Sequence, residues 1–163
     1  MLAEKEAANL TRWDGRPGWY EVYYLKWNDP QSRTAFWVRY TLTSPLAGEP
    51  YCELWGIFFD VADPAHNFAA KERFPIGKLR LGRERFEVGI GDANLSQNKC
   101  HGRIAGQNGK VLAWDLAFDS ASPLFRHFPA AWMYTAKFPQ TKVLSPHEFG
   151  LFQGKVVAGG REI

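Results

Sequence analysis

The sequence predicts an all-β chain folded as an antiparallel barrel or barrel-like sheet of about eight to ten strands. Three observations lead there. No stretch carries the apolar spacing of a long helix. Short runs rich in β-branched and aromatic residues recur along the whole chain. Turn chemistry separates them at Asn28-Asp29-Pro30, Ser44-Pro45, Asp63-Pro64, Gly89/Gly91, Gly106 to Gly109, Ser122-Pro123 and Ser145-Pro146. The 163 residues suit one domain, and a composition of 45% hydrophobic and 15% aromatic residues supplies an ample core.

Taken in order, residues 2–9 predict a short helical turn ahead of the sheet. WYEVYYLKW at 19–27 and the run at 33–43 form a first hairpin, and YCELWGIFFDV at 51–61 extends it. Further strands are expected near 67–74, 84–90, 93–105, 110–118, 131–138 and 147–157. Within KLRLGRER at 78–85, Lys78 and Arg80 alternate with Leu79 and Leu81, which is the period of a strand with one solvated side. No repeat, low-complexity segment or interior linker shows. The tail GKVVAGGREI turns glycine-rich, as it would where a linker or second domain follows.

Composition narrows the function classes. A formal net charge of +3 is too small to imply nucleic acid, and the one dense basic run is explained by alternation without a phosphate ligand. Cys52 and Cys100 have neither CxxC spacing nor neighbouring ligands, so they read as reduced structural thiols. The N-terminal MLAEKEAANLTRW has acids where a signal peptide needs a basic start and an apolar run. Nothing later approaches a membrane-spanning length, so a cytoplasmic protein is expected.

The first hairpin is apolar on two sides and yet carries charge. With its loop at 28–32, Glu21 falls opposite Arg39, Tyr23 opposite Trp37 and Leu25 opposite Ala35. The same parity carried into the third strand sets Glu53 against Arg39 and Trp55 against Trp37. One face then bears a Glu21–Arg39–Glu53 layer beside a Tyr23–Trp37–Trp55 layer. The other holds Tyr20, Val22, Tyr24, Phe36, Val38, Tyr40, Leu42, Leu54 and Phe58 and is the more uniformly apolar. Both faces need cover.

The run GRPGWYEVYYLKWNDPQSRTAFWVRYTL, the ELWGIFFD stretch and the closing HEFGLFQGKV resemble the lipocalin-like proteins that include hydroxyneurosporene synthase (carotenoid hydratase), tocopherol cyclase and the AttH-like proteins. The resemblance implies a lipocalin-like β-barrel and covers most of the chain. Members have two consecutive lipocalin-like halves, the second with a His-x-Trp-Gly motif near its start. Nothing in this chain matches that motif, so the likeness is to an N-terminal half. It would place one hairpin face inside the barrel and the other against a second half.

Other signals carry less. His66, His101, His127 and His147 have no helical or strand-spaced partner and read as loop or edge histidines rather than a metal site. Gly89-Ile90-Gly91 lacks the third glycine and the following helix of a dinucleotide site, which leaves a bulge or turn. No G-x-S-x-G is present. Asp60 and Asp63 flank the turn before Pro64 as local backbone acceptors.

The charged layer is the candidate site. Its simpler reading is a cross-strand ion ladder that fixes register. Buried beside Tyr23, Trp37 and Trp55, its carboxylates would be raised by desolvation and lowered by Arg39, leaving Glu21 or Glu53 as a candidate proton donor. The isoprenoid hydration or cyclisation implied by the resemblance needs such an acid in an aromatic pocket. The expected function is binding of a small hydrophobic, isoprenoid-like molecule through Tyr23, Trp37, Arg39 and Trp55, with no cofactor or metal. The alternative is an interaction domain whose aromatic surface packs on a second lipocalin-like half or an identical chain in a homodimer.

Overall fold

The computed structural model describes residues 2–106 and 109–163, with the side chains of Leu2 and Ala3 outside that description. In chain order the elements are α1 (Leu2–Asn9), β1 (Trp19–Asp29), β2 (Thr34–Ser44), β3 (Tyr51–Asp60), β4 (Phe68–Pro75), β5 (Leu79–Leu81), β6 (Glu87–Ile90) and β7 (Ala93–Ser96). There follow β8 (Lys99–Ala105), β9 (Val111–Asp119), β10 (Phe125–Arg126), α2 (Trp132–Thr135), β11 (Leu144–Ser145), β12 (Leu151–Ala158) and β13 (Arg161–Glu162). The protein is all-β and antiparallel, as the turn spacing predicts.

The strands form two sheets, β1-β2-β3-β4 and β13-β12-β9-β8-β7-β6-β5, with β10-β11 as a separate ribbon. No ladder joins the sheets among the described residues, so the barrel-like arrangement stays open. Their facing sides make one core. Phe36, Val38, Tyr40 and Leu42 alternate inward along β2, as do Cys52, Leu54 and Phe58 along β3, and all of these but Leu42 share one core cluster with Val88, Ile90, Ile104, Leu112 and Trp114 of the second sheet. Each such large apolar side chain contributes about 1.5–3 kcal/mol by leaving water. Gly56 lets the sheets approach: a Cβ there would lie 2.6 Å from Leu112 Cδ2 and 3.2 Å from Ile104 Cγ2. The buried Tyr40 hydroxyl donates across the core to Asn94 O at 3.1 Å.

Several expectations are corrected. The predicted strand at 131–138 is instead the single turn α2, closed by the Ala136 N–H donating to Trp132 O at 2.8 Å. Among the described residues no neighbouring strand offers it a ladder. Lys142 Nζ gathers its carbonyls instead, at 2.8 Å from Ala136 O, with Met133 O and Pro139 O also accepting. The run 93–105 is a hairpin, β7 and β8, rather than one strand.

The glycines of the tail lie in a hairpin turn. Gly159 and Gly160, at φ +58° and +91°, make the two-residue turn that folds β13 back on β12. Arg161 Nη1 then donates to the buried Asp60 Oδ2 at 2.6 Å. Asp60 and Asp63 are turn acceptors as expected: Asp60 Oδ1 takes the Ala62 and Asp63 N–H groups, and Asp63 Oδ1 takes that of Ala65. Arg80 is exposed while Leu79 and Leu81 pack on the core, and Gly91 opens the turn between β6 and β7. The centre of the expected Gly106 to Gly109 turn, residues 107 and 108, lies outside the described residues.

Candidate functional site

The Glu21–Arg39–Glu53 ladder does not form. Asp29 pairs with Thr34 and the hairpin loop is confined to residues 30–33, so Glu21 stands opposite Leu42, Tyr23 opposite Tyr40, and Arg39 opposite Tyr24. The Asp29 carboxylate accepts the Gln31 and Ser32 N–H groups, and Arg33 turns the chain at φ 56°. An odd shift of register turns a whole strand over. Glu21 and Tyr23 therefore point to the inner side with Leu25 and Trp27, while Trp37, Arg39, Glu53 and Trp55 occupy the outer side. The second pairing is also displaced, by an even step that keeps its parity: Arg39 faces Trp55, and Thr41 faces Glu53.

On the outer side, Glu53 finds its cations on β4. Its Oε1 lies 3.0 Å from Lys71 Nζ and 2.9 Å from Arg73 Nη2, and the residue is only 6% exposed. Burial would raise its pKa, but the hydrogen bonds and charges of Lys71 and Arg73 outweigh that and hold it below the ordinary value. Such a carboxylate is kept ionised, the opposite of what proton donation needs. Rings and cations interleave around it: Lys71 lies 4.3 Å and Arg39 5.7 Å from the Trp55 ring, and Arg73 lies 3.9 Å from the Tyr51 ring.

On the inner side, β1 and β12 approach without a ladder, and an open cleft of about 1120 Å³ separates them. Alternation builds both walls. Tyr23, Leu25 and Trp27 come from β1, Leu116 and Phe118 from β9, and Phe152 from β12. Phe149 and Leu151, 82% and 81% exposed, give it an apolar rim. Of the four expected ligand contacts, Tyr23 alone lines this cleft; Trp37, Arg39 and Trp55 are not among its lining residues.

Tyr23 is fixed by Glu21. Glu21 Oε2 accepts the Tyr23 hydroxyl at 3.1 Å and the Thr11 hydroxyl at 2.6 Å, and Oε1 accepts the Arg12 N–H at 2.6 Å. Burial first, and then the Glu21 charge, push the Tyr23 phenol far above its ordinary range, so it stays a neutral donor. The Tyr23 ring meets Phe86 at 5.4 Å between centroids.

A polar end was not legible in the sequence. His147 Nε2 lies 3.3 Å from Gln97 Nε2, and its ring stands edge-on to Phe118 at 5.4 Å. Rotating the Gln97 amide by half a turn would pair its oxygen with the His147 Nε2–H. His147 Nδ1 is buried without a partner. Burial, and next the Lys5 ammonium, hold this imidazole below its ordinary pKa, against an opposing pull from Asp119. No local signal marks the pair, because the two residues stand fifty positions apart. The alternation of Leu112, Trp114, Leu116 and Phe118 along 110–118 does carry the signal for the β9 wall.

Cys52 and Cys100 are free and buried, their thiols pushed up to about 11 and about 12 by desolvation. Among the described residues no group of three or more His, Cys, Asp or Glu converges as a metal site, and no helix is long and apolar enough to cross a membrane.

Comparison with known proteins gives relatives without an assigned activity. The chain is 30% identical over 130 residues to an uncharacterized protein of Mycobacterium tuberculosis strain CDC 1551 / Oshkosh, and to one of strain H37Rv at the same identity and length. The aligned region is 79% of this chain, and the chain spans 37% of the length of each relative. No protein-family model and no solved structure matches it.

Proposed function

We propose that this protein binds a small apolar molecule in the cleft between β1 and the β9–β12 wall. The observation that carries the reading is the cleft itself: about 1120 Å³, open to solvent, walled by Tyr23, Leu25, Trp27, Leu116, Phe118 and Phe152 and rimmed by exposed Phe149 and Leu151. Ligand sites are concave, largely pre-formed and walled mostly by apolar and aromatic side chains with a few polar groups, and these walls have that composition. The isoprenoid class rests on the resemblance of the hairpin and HEFGLFQGKV stretches to the carotenoid hydratase and tocopherol cyclase family. The test is titration with the neutral dye Nile red, followed by its fluorescence and by competition with a linear isoprenoid alcohol. Saturable one-to-one binding that weakens about tenfold or more in Phe118→Ala supports the reading. Absence of saturable binding sinks it.

A second reading places a second lipocalin-like half on the outer side of β1 to β4. Tyr20, Tyr24 and Phe59 are 55%, 59% and 43% exposed there, and the relatives are far longer than this chain. Such a patch next to stacked Arg39, Lys71 and Trp55 has the aromatic and arginine content of an interface. Sedimentation of the chain alone separates the outcomes: a monomer fits this reading, and a dimer disrupted by Tyr24→Asp assigns the face to an identical chain.

A further inference from the structure

The cleft lies between two strand edges. β1 is the outermost strand of its sheet, and Val22 to Asp29 line the cleft without a break, so its edge rather than one of its faces meets the gap. The ladder from β1 to β2 runs through eleven residues with neither proline nor bulge, and Lys26 is the one exposed charged residue on the strand. Edges of that kind are ordinarily blunted or covered.

The opposite edge belongs to β12 and is covered for part of its length. On the β9 side, Gly159 N–H donates to Val111 O at 2.8 Å. On the other side, Val156 N–H donates to Ile163 O at 3.0 Å and Ile163 N–H to Val156 O at 2.8 Å. Backbone groups alternate sides along an antiparallel strand, and the ladder to β9 is continuous from Ala158 to Leu151. Gly154 and Phe152 therefore turn their N–H and C=O groups the same way as Val156, and both residues line the cleft. β13 and Ile163 reach only Val156 to Ala158. Among the described residues nothing pairs with Gly154 or Phe152 on that side.

We infer that an extended strand of polypeptide from outside this chain adds to β12 in the cleft, antiparallel and beyond the point where β13 stops, with the edge of β1 on its other side. A polyamide is the ligand class that repeats N–H and C=O groups at the spacing of Gly154 and Phe152, whereas a hydrocarbon leaves them to water. Alternation also sets the sequence such a strand takes. Its inner side chains are apolar, to lie with Trp27 and Phe152, and its outer ones are polar, beside exposed Gln153 and Lys155. The chain spans 37% of the length of each relative, so in those proteins further polypeptide accompanies this region. The inference goes beyond the binding of a small molecule: the strand takes the two edges, and the small molecule takes the walls made by Leu116 and Phe118.

The probe is a capped peptide of about six residues alternating threonine and valine, with a lysine at each end. Its control is the same peptide with every amide N-methylated, which keeps the side chains and removes the donors. Hydrogen exchange of the whole chain is followed residue by residue by NMR. The unmodified peptide should slow the Gly154 and Phe152 amides by about tenfold or more, together with alternate amides of β1, and the control should slow neither. No slowing at saturating peptide, or equal slowing by the control, would overturn the inference. Slowing that grows with protein concentration in the absence of peptide would give the edge to an identical chain and overturn it as well. Nile red separates this inference from the small-molecule reading. Dye binding without amide protection rejects the strand and keeps the cleft as a ligand site, whereas amide protection without dye binding supports the strand and rejects the small molecule.

Discussion

The indole of Trp27 stacks on the phenyl ring of Phe152, centroids 5.2 Å apart and planes 20° from parallel, and so joins β1 to β12 where no backbone ladder does. Trp27 also touches Phe36 at 4.1 Å, and Phe152 touches Phe118 at 5.3 Å, so the stack ties the cleft wall to the core. Because the cleft leaves Trp27 partly solvated, Trp27→Ala should cost about 2–3 kcal/mol, less than a fully buried ring. A double-mutant cycle with Phe152→Ala should give a coupling of about 0.5–1.5 kcal/mol. Urea unfolding measures both, and strict additivity would show that the rings do not hold the edges together.

The outer-face arginine supports little. Arg39 lies 5.9 Å from the Tyr20 ring and 5.7 Å from the Trp55 ring, donates to the Tyr20 hydroxyl, and forms no ion pair with Glu21. Arg39→Met should therefore cost about 1 kcal/mol or less. Combined with Glu21→Gln, the two effects should add within about 0.3–0.5 kcal/mol, since the residues sit on opposite faces of the sheet. A coupling above about 1 kcal/mol would restore the cross-strand ladder.

These relationships show what the chain reveals before folding. The all-β class, the inward run of Phe36, Val38, Tyr40 and Leu42, and the acceptor roles of Asp60 and Asp63 all follow from alternation and turn chemistry, which act within a few residues. The first hairpin's register turned on where the loop began, and a carboxylate at Asp29 capping the Ser32 N–H moved it by an odd step. That single step sent Glu21 inward and left Arg39 outside. The polar end of the cleft depends on Gln97 meeting His147, fifty positions away. Sequence spacing carries no trace of contacts made by tertiary packing alone.

The two thiols should be inert in the folded protein. Cys52 and Cys100 are 0% and 1% exposed, and burial raises both well above neutrality, so neither accessibility nor thiolate is available. Labelling by an aromatic disulfide reagent should proceed at the rate of global opening and respond to urea in parallel with unfolding. Rapid native-state reaction of either thiol would contradict the packed core.

Stability should decline on mild acidification because of His147. Its folded pKa lies below the ordinary 6.5, so between the two values the unfolded chain binds the extra proton. The contribution is complete above 6.5 and is lost as pH falls through the window beneath it. Urea midpoints measured from about pH 7.5 downward should show this slope, and His147→Gln should flatten it. An unchanged slope in the variant would mean that the imidazole is solvated.

A second, more acidic loss should come from Glu53, with the sign set by the opposite charge type. Its folded pKa is depressed below 4.5 because Lys71 and Arg73 outweigh its burial, so the stabilisation is present above 4.5 and disappears as pH falls through the folded value. Lys71 and Arg73 are 42% and 59% exposed, and solvent screening limits each to about 1 kcal/mol, so neither Lys71→Met nor Arg73→Met should be severe alone. Losing both leaves a carboxylate on a residue only 6% exposed with no cation, and the desolvation that those charges had offset then dominates. The double variant should therefore be destabilised by more than the sum of the single changes, and its Glu53 should titrate above rather than below the ordinary carboxylate value. Carboxyl resonances followed by NMR read that reversal directly, and Glu53→Gln, which carries no charge to strand, should remove the acid slope in every background.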